Sequence, residues 1–311
     1  MASASPDVPQ NSDPSADLIY KLDLQYARQD RCPVGDGLEL YYEVHGSGDT
    51  TILFLNHMFL IAPVWRGLTD QLAKRYQLVF YDLRNQGAST RYPGPIRWSD
   101  HTDDLERLLD HIGIDKTYII GTSISALAVR DFALDHPDRV KGLVQCGPAF
   151  SPYGDRRRIM MTDSWLASLR WGGLEGLWDQ LYGLVFSDST IQQGGEAMYL
   201  ALREAFCAQH TPEQIEVNLA AAQSTSDDPD KLRRITAPTL LMLGDSDWMW
   251  GESNREEALR LMPHSSLQMI PRAGHLPYFE ANQAFQQGIM EFVDKCEAEL
   301  RHGVMSGSSP Q

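Results

Sequence analysis

The stretch Tyr118-Ile119-Ile120-Gly121-Thr122-Ser123-Ile124-Ser125-Ala126 constrains this chain more than any other. Thr117 to Ile120 are β-branched or aromatic and read as a buried strand, which Gly121 is expected to break. From Ile124 the pattern turns helical, with Ile124, Leu127, Ala128 and Phe132 on one face. Ser123 is thereby held on a sharp turn between strand and helix. Such a turn lifts the hydroxyl out of the sheet edge and leaves the free N–H groups of the first helical turn beside it. The pattern Gly-x-Ser-x-Gly marks a nucleophilic serine in this setting, and here its last position is Ser125. A small last residue is expected to let the helix approach the strand. The same residues also fit a strand, a glycine turn and a helix-capping serine, so the rest of the chain must decide.

On either side the chain alternates strand and helix. Leu38 to Val44 reads as an edge strand, Ile52–Leu55 and Leu78–Tyr81 read as buried ones, and Val140–Val144, Thr239–Leu243 and Leu267–Ile270 as further strands. Helices are expected around Trp65–Ala73, over Ser99–Ile112 with Gly113 as its stop, and in the closing segment through Phe285, Ile289, Phe292 and Cys296. Residues from about Ser151 to Leu232 read as helical throughout, with a Thr-Pro-Glu-Gln start at Thr211. Alternation interrupted once by a helical block predicts an α/β fold: a doubly wound, mostly parallel sheet with an inserted helical cap. The expected division is a disordered leader over 1–17, a core over 18–150 and 233–303, a cap over 151–232 and a disordered tail over 304–311.

Parallel sheets carry their sites at the carboxyl ends of strands. Ser123 follows one strand end, Asp245 and Asp247 follow another, and His275 follows a third. A serine hydroxyl needs an adjacent base, histidine titrates near neutrality, and a carboxylate fixes its tautomer. The order Ser, Asp, His is the one found on hydrolases with this strand–turn–helix element.

With these residues together, the chain from about Asp36 to Glu299 resembles an α/β-hydrolase. The loop Asp-x-Arg-x-x-Gly-x-Ser at Asp82–Ser89 and Gly-His-Leu-Pro-Tyr at Gly274–Tyr278 are further marks. It is most similar to the group of enol-lactone hydrolases, perhydrolase-like esterases and carbon–carbon bond hydrolases. The resemblance implies Ser123 as nucleophile, His275 as base and Asp247, rather than Asp245, as the acid three residues after Gly244. It also implies an oxyanion hole built from the backbone N–H groups of Ile124 and Met58. Relatives with an aspartate nucleophile, dehalogenases and epoxide hydrolases, do not match Ser123. His57 stands where many relatives have a small residue, and is expected either to add a polar group to the pocket or to bond backbone. Phe150, Trp171 and Trp248 are expected substrate contacts. Arg156, Arg157 and Arg158 could meet an anionic substrate, though a charge run is more often a solvated helix face.

The resemblance implies a serine hydrolase for a small carboxylic ester, lactone or thioester, without a cofactor or metal. The alternatives are a biosynthetic enzyme that releases or cyclises an acyl chain, or cleaves a carbon–carbon bond, and a ligand-sensing receptor. The Gly-x-Ser-x-Ser-Ala of Gly121–Ala126 is similar to strigolactone-type receptors. The partner is expected to be a small molecule, free or as a carrier-bound acyl chain. Lys and Arg number 27 against 42 Asp and Glu, a net charge of −15, which argues against nucleic acid or an anionic membrane. Cys32, Cys146, Cys207 and Cys296 have no metal-like spacing. No signal peptide is read at the N-terminus, so reduced thiols, a cytoplasmic location and a monomer or homodimer are expected.

Overall fold

The computed structural model of the chain describes residues 22–26, 30–92 and 94–306. The expected leader over 1–17 and residues 307–311 of the expected tail lie outside the described residues. Among the described residues one sheet contains β1 (Asp30–Gly35), β2 (Leu38–His45), β3 (Thr51–Leu55), β4 (Gln77–Tyr81), β5 (Thr117–Thr122), β6 (Val140–Cys146), β7 (Thr239–Gly244) and β8 (Ser265–Ile270). Their order is β1-β2-β4-β3-β5-β6-β7-β8. The pairs β1–β2 and β2–β4 are antiparallel and the rest parallel.

The helices are α1 (Val64–Leu68), α2 (Trp98–His111), α3 (Ser125–Asp135), α4 (Arg156–Val185), α5 (Asp188–Gln209), α6 (Pro212–Gln223), α7 (Pro229–Arg233), α8 (Glu252–Leu261), α9 (Pro277–Glu280) and α10 (Asn282–Ser306). The expected doubly wound, mostly parallel sheet is found, and α4 to α7 follow one another between β6 and β7. Helix α10 runs through residues 304–306, which the sequence reading assigned to the tail.

Three expectations need correction. First, β2 is not an edge: β1 lies outside it. No strand is expected over β1, which contains Pro33 and Gly35, yet an edge strand pairs on one side only and tolerates proline there. The register shift between Pro33 and Gly35 absorbs the irregularity. Second, Gly121 does not break β5, which continues to Thr122. A Cβ on Gly121 would meet Val129 Cγ2 at 2.7 Å and Ala126 Cα at 2.9 Å. The close approach of helix to strand is thus taken up at the first position of the motif, not the last. Third, the helix expected over Trp65–Ala73 is two short pieces, α1 and a 3-10 turn over Leu72–Lys74.

A buried ion cluster ties the helical block to α3, which packs against β5. Arg130 on α3 donates to Asp227 Oδ1 at 3.0 Å, and Arg158 on α4 donates to Asp227 Oδ2 at 3.1 Å. Arg130 and Arg158 also reach the carbonyls of Ser226 and Thr225, each at 2.7 Å. All three charged side chains are buried. Two guanidinium groups out of water need this carboxylate, because an uncompensated buried charge costs far more than the pair contributes.

Asp227→Ala is therefore expected to lower the unfolding free energy by about 3–5 kcal/mol. Urea denaturation checks this, and a loss below about 1 kcal/mol would show that the cluster does not join the two layers.

Candidate active site

The elbow places Ser123 in the left-handed backbone region, at φ 52°. A non-glycine residue there costs about 1–3 kcal/mol and persists only where its surroundings force it. Three bonds do so. Ser123 N–H donates to Cys146 O at 3.0 Å, and its carbonyl accepts from Ala149 N–H at 2.9 Å and Ala126 N–H at 3.2 Å. Ser125 completes the turn. Its buried hydroxyl accepts from Thr122 N–H at 2.9 Å and lies 2.9 Å from Leu55 O and 2.8 Å from Thr122 O. The departure from glycine at this position thus links the elbow to the end of β3, where the next loop begins.

Ser123, His275 and Asp247 form one hydrogen-bonded chain. His275 Nε2 lies 2.9 Å from Ser123 Oγ, and His275 Nδ1 lies 3.0 Å from Asp247 Oδ2. The other Asp247 oxygen accepts Met249 N–H at 2.9 Å, which fixes the carboxylate plane. With Nδ1–H donating to Asp247, Nε2 is free to accept the serine proton. The rival Asp245 is exposed and accepts only from Ser246 Oγ at 3.0 Å among the described residues. The His275 loop is held by Glu280, whose two oxygens accept Gly274 N–H and Ser187 N–H, each at 2.7 Å. Gly244 and Gly147 let this loop close in: a Cβ on either would sit 2.1 Å from Gly274 O or 2.7 Å from His275 O.

Among the described residues, neither Met58 N–H nor Ile124 N–H finds an acceptor within the protein. Ile124 opens α3 and Met58 follows β3, so both flank the elbow. The Met58 loop is held from beneath. Asp82 accepts from Ala62 N–H at 2.7 Å, Asn56 Nδ2 at 3.2 Å, Ala88 N–H at 2.9 Å and Tyr26 O–H at 2.8 Å. Gln86 Nε2 donates to His57 O at 2.7 Å and also to Leu60 O. Sequence reasoning missed Gln86; its place inside the Asp82–Ser89 loop was the available signal.

A cavity of about 110 Å³ of water-accessible space opens over Ser123 and His275. Its walls are almost wholly apolar, with Trp165, Trp178 and Leu181 from α4, and Leu202 and Phe206 from α5. No Lys, Arg, Asp or Glu lines it among the described residues. Trp248 lines the cavity and is partly exposed. Phe150 does not line it. The Ala149–Ser123 bond draws that segment onto the elbow, and Phe150 packs edge-on against Trp250 at 5.6 Å. Trp171 is 92% exposed and also absent from the lining. It precedes the helix kink at Gly173 (φ 65°), where the chain turns on the outer surface. The arginine run fits neither expectation as a unit. Arg158 is buried against Asp227, while Arg157 lies 5.3 Å over the Trp248 ring and donates to the carbonyls of Trp248 and Met249.

His57 is 7% exposed and lines the cavity. Its Nδ1 accepts Phe59 N–H at 3.2 Å, which leaves the proton on Nε2. Burial, with lesser contributions from His275 and His210, lowers its pKa from 6.5 to about 3, so the ring is neutral at pH 7.

Comparison with known proteins follows this geometry. Residues 50–282 match the alpha/beta hydrolase fold family. The chain is 36% identical over 109 residues to RutD of Azorhizobium caulinodans, provisionally described as a carbamate hydrolase; that match spans 35% of this chain and only 41% of RutD. It is 25% identical over 271 residues to the pimeloyl-[acyl-carrier protein] methyl ester esterase of Yersinia enterocolitica, covering 83% of this chain and 98% of that one. The enol-lactonase of Burkholderia xenovorans LB400 superposes with a TM-score of 0.73 at 20% identity, over 85% of this chain and 99% of its own. At that identity it speaks for the fold alone.

A depressed histidine pKa means that the unfolded chain takes up the proton first. The stabilisation is therefore full above about pH 6.5 and is lost as pH falls toward 3. Asp82 acts in the opposite sense, because burial raises its pKa to about 6, so the useful readout is a difference. Between pH 7 and 4.5 the wild type should lose about 2 kcal/mol more unfolding free energy than His57→Phe. Equal losses in urea titrations at the two pH values would contradict a buried neutral His57.

Proposed function

The chain belongs to the alpha/beta hydrolase fold family and is a hydrolase of that fold; on that footing we propose that it cleaves an uncharged carboxylic ester, lactone or thioester through an acyl-enzyme on Ser123. The observation that carries this reading is the 2.9 Å contact between Ser123 Oγ and His275 Nε2, at the floor of an apolar cavity and beside two unused backbone N–H groups. Ser123 Oγ attacks the carbonyl carbon while His275 Nε2 takes the hydroxyl proton. The imidazolium is stabilised by Asp247, and the Met58 and Ile124 N–H groups form the oxyanion hole. Collapse of the tetrahedral intermediate expels the alcohol or thiol, which takes the proton back from His275. Water, deprotonated by the same nitrogen, then releases the acid and restores Ser123. The helices α4 and α5 act as the cap that keeps the acyl part dry.

Among the described residues no charged side chain lines the cavity, which supports a neutral acyl group. Burying a carboxylate there would need a cation that the lining residues do not supply. This weighs against carbon–carbon cleavage of a substrate carrying a buried acid. A carrier-bound acyl chain remains the second reading. A surface groove lined by Arg156, Arg157 and Trp248 adjoins the cavity through Trp165, Leu184 and Trp248, and one relative acts on a carrier-bound ester by its name. A higher kcat/KM for a carrier-bound than for a free methyl ester would favour it.

Ser123→Ala is expected to fold normally and to lose turnover of short-chain p-nitrophenyl esters by about 10³-fold or more. Asp247→Asn is expected to cost far more kcat/KM than Asp245→Asn. Undiminished turnover in Ser123→Ala removes the nucleophile assignment, and the reverse ranking of the two aspartates moves the acid to Asp245.

A further inference from the structure

Residues that line the cavity carry hydrogen-bond donors with no partner among the described residues. Among the described residues, His57 Nε2, Trp165 Nε1 and Trp178 Nε1 are buried without a partner. All three residues line the cavity with Ser123 and are only 7%, 6% and 9% exposed. An indole N–H can only donate. His57 donates as well, because its Nδ1 is already engaged by Phe59 N–H. The unmet needs therefore all have one sign. Among the described residues the only side-chain carbonyl in the lining is that of Gln209, and it bonds none of the three. Buried donors are normally satisfied, so three in one small apolar cavity point to acceptors that arrive with a ligand.

We propose that His57, Trp165 and Trp178 bind carbonyl oxygens of the acyl part, so that the substrate is an oxo-acyl ester, lactone or thioester with at least one uncharged acceptor beyond the carbonyl that Ser123 attacks. The proposal rests on the serine-hydrolase reading above and adds the substrate class. The attacked oxygen does not meet this need, because the Met58 and Ile124 N–H groups are free for it. The acceptor is uncharged, since no Lys or Arg lines the cavity among the described residues. A plain alkyl chain leaves these donors unmet, whereas an oxo group supplies an acceptor. Discrimination of this kind is larger than that from added apolar contact, because the penalty falls on groups of the site itself.

The test compares p-nitrophenyl pentanoate with the 3-oxo and 4-oxo pentanoates, each rate divided by its spontaneous hydrolysis rate to remove intrinsic activation. The wild type is expected to favour at least one oxo ester in kcat/KM by about tenfold or more. His57→Phe, Trp165→Phe and Trp178→Phe are measured as well, and at least one should bring that ratio close to one. A ratio taken within one variant is insensitive to its folded fraction, and three separate variants guard against loss of any one. Turnover of all three esters by the wild type without preference overturns the donor assignment alone. A preference that survives in every variant overturns it too. Turnover of none of the esters by the wild type overturns the serine-hydrolase reading, and this inference with it.

Discussion

The site depends first on a strained backbone. At φ 52° Ser123 occupies a region that side chains disfavour, and the surrounding structure must hold it there. Gly121 permits the helix to lie against the strand because any Cβ would strike Val129 and Ala126. Ser125 binds both sides of the turn and reaches the carbonyl of Leu55. The strain thus has a local cause and a local restraint. Its result is a hydroxyl that faces the cavity, with the free Ile124 N–H immediately after it.

Around this turn, each approaching loop is fixed by one or two buried polar side chains. Asp82 and Gln86 hold the loop after β3, Glu280 holds the loop after β8, and the second Asp247 oxygen holds the loop after β7. These are side chain–backbone bonds across the ends of parallel strands. Loops at strand ends have no ladder of their own, so positional precision must come from such bonds. The same physics explains the Arg130–Asp227–Arg158 cluster, which ties α4 to α3. The helices that supply Trp165, Trp178 and Phe206 to the cavity are thereby placed over the serine.

Much of this was legible in the sequence, and the exceptions have physical reasons. Parallel strands are buried on both faces, so β3 to β7 announce themselves as apolar runs. The edge strand β1 has one free side and can carry Pro33, so no apolar run marks it in the sequence. Ser123, Asp247 and His275 were visible because each follows the end of a strand, and the structure brings them within hydrogen-bond distance. The cavity walls were harder to read. In a helical block rich in tryptophan, periodicity does not tell Trp165, which lines the cavity, from Trp171, which faces outward beyond it. The two lie six positions apart on one helical stretch and so face different sides, and the packing of α4 against α5 and α6 decides which side meets the cavity. Arg158 misled for a related reason, since a charge run shows nothing of a buried carboxylate about seventy positions further along the chain.

The central claim is that Ser123 becomes acylated during turnover. The direct measurement is rapid acid quench of the protein mixed with p-nitrophenyl acetate, followed by peptide mass spectrometry. The account predicts one acetyl group on Ser123 that appears during the first turnover and is gone once substrate is consumed. Product that accumulates with no acetylated Ser123 at any time, or an acetyl group confined to another residue, would contradict it.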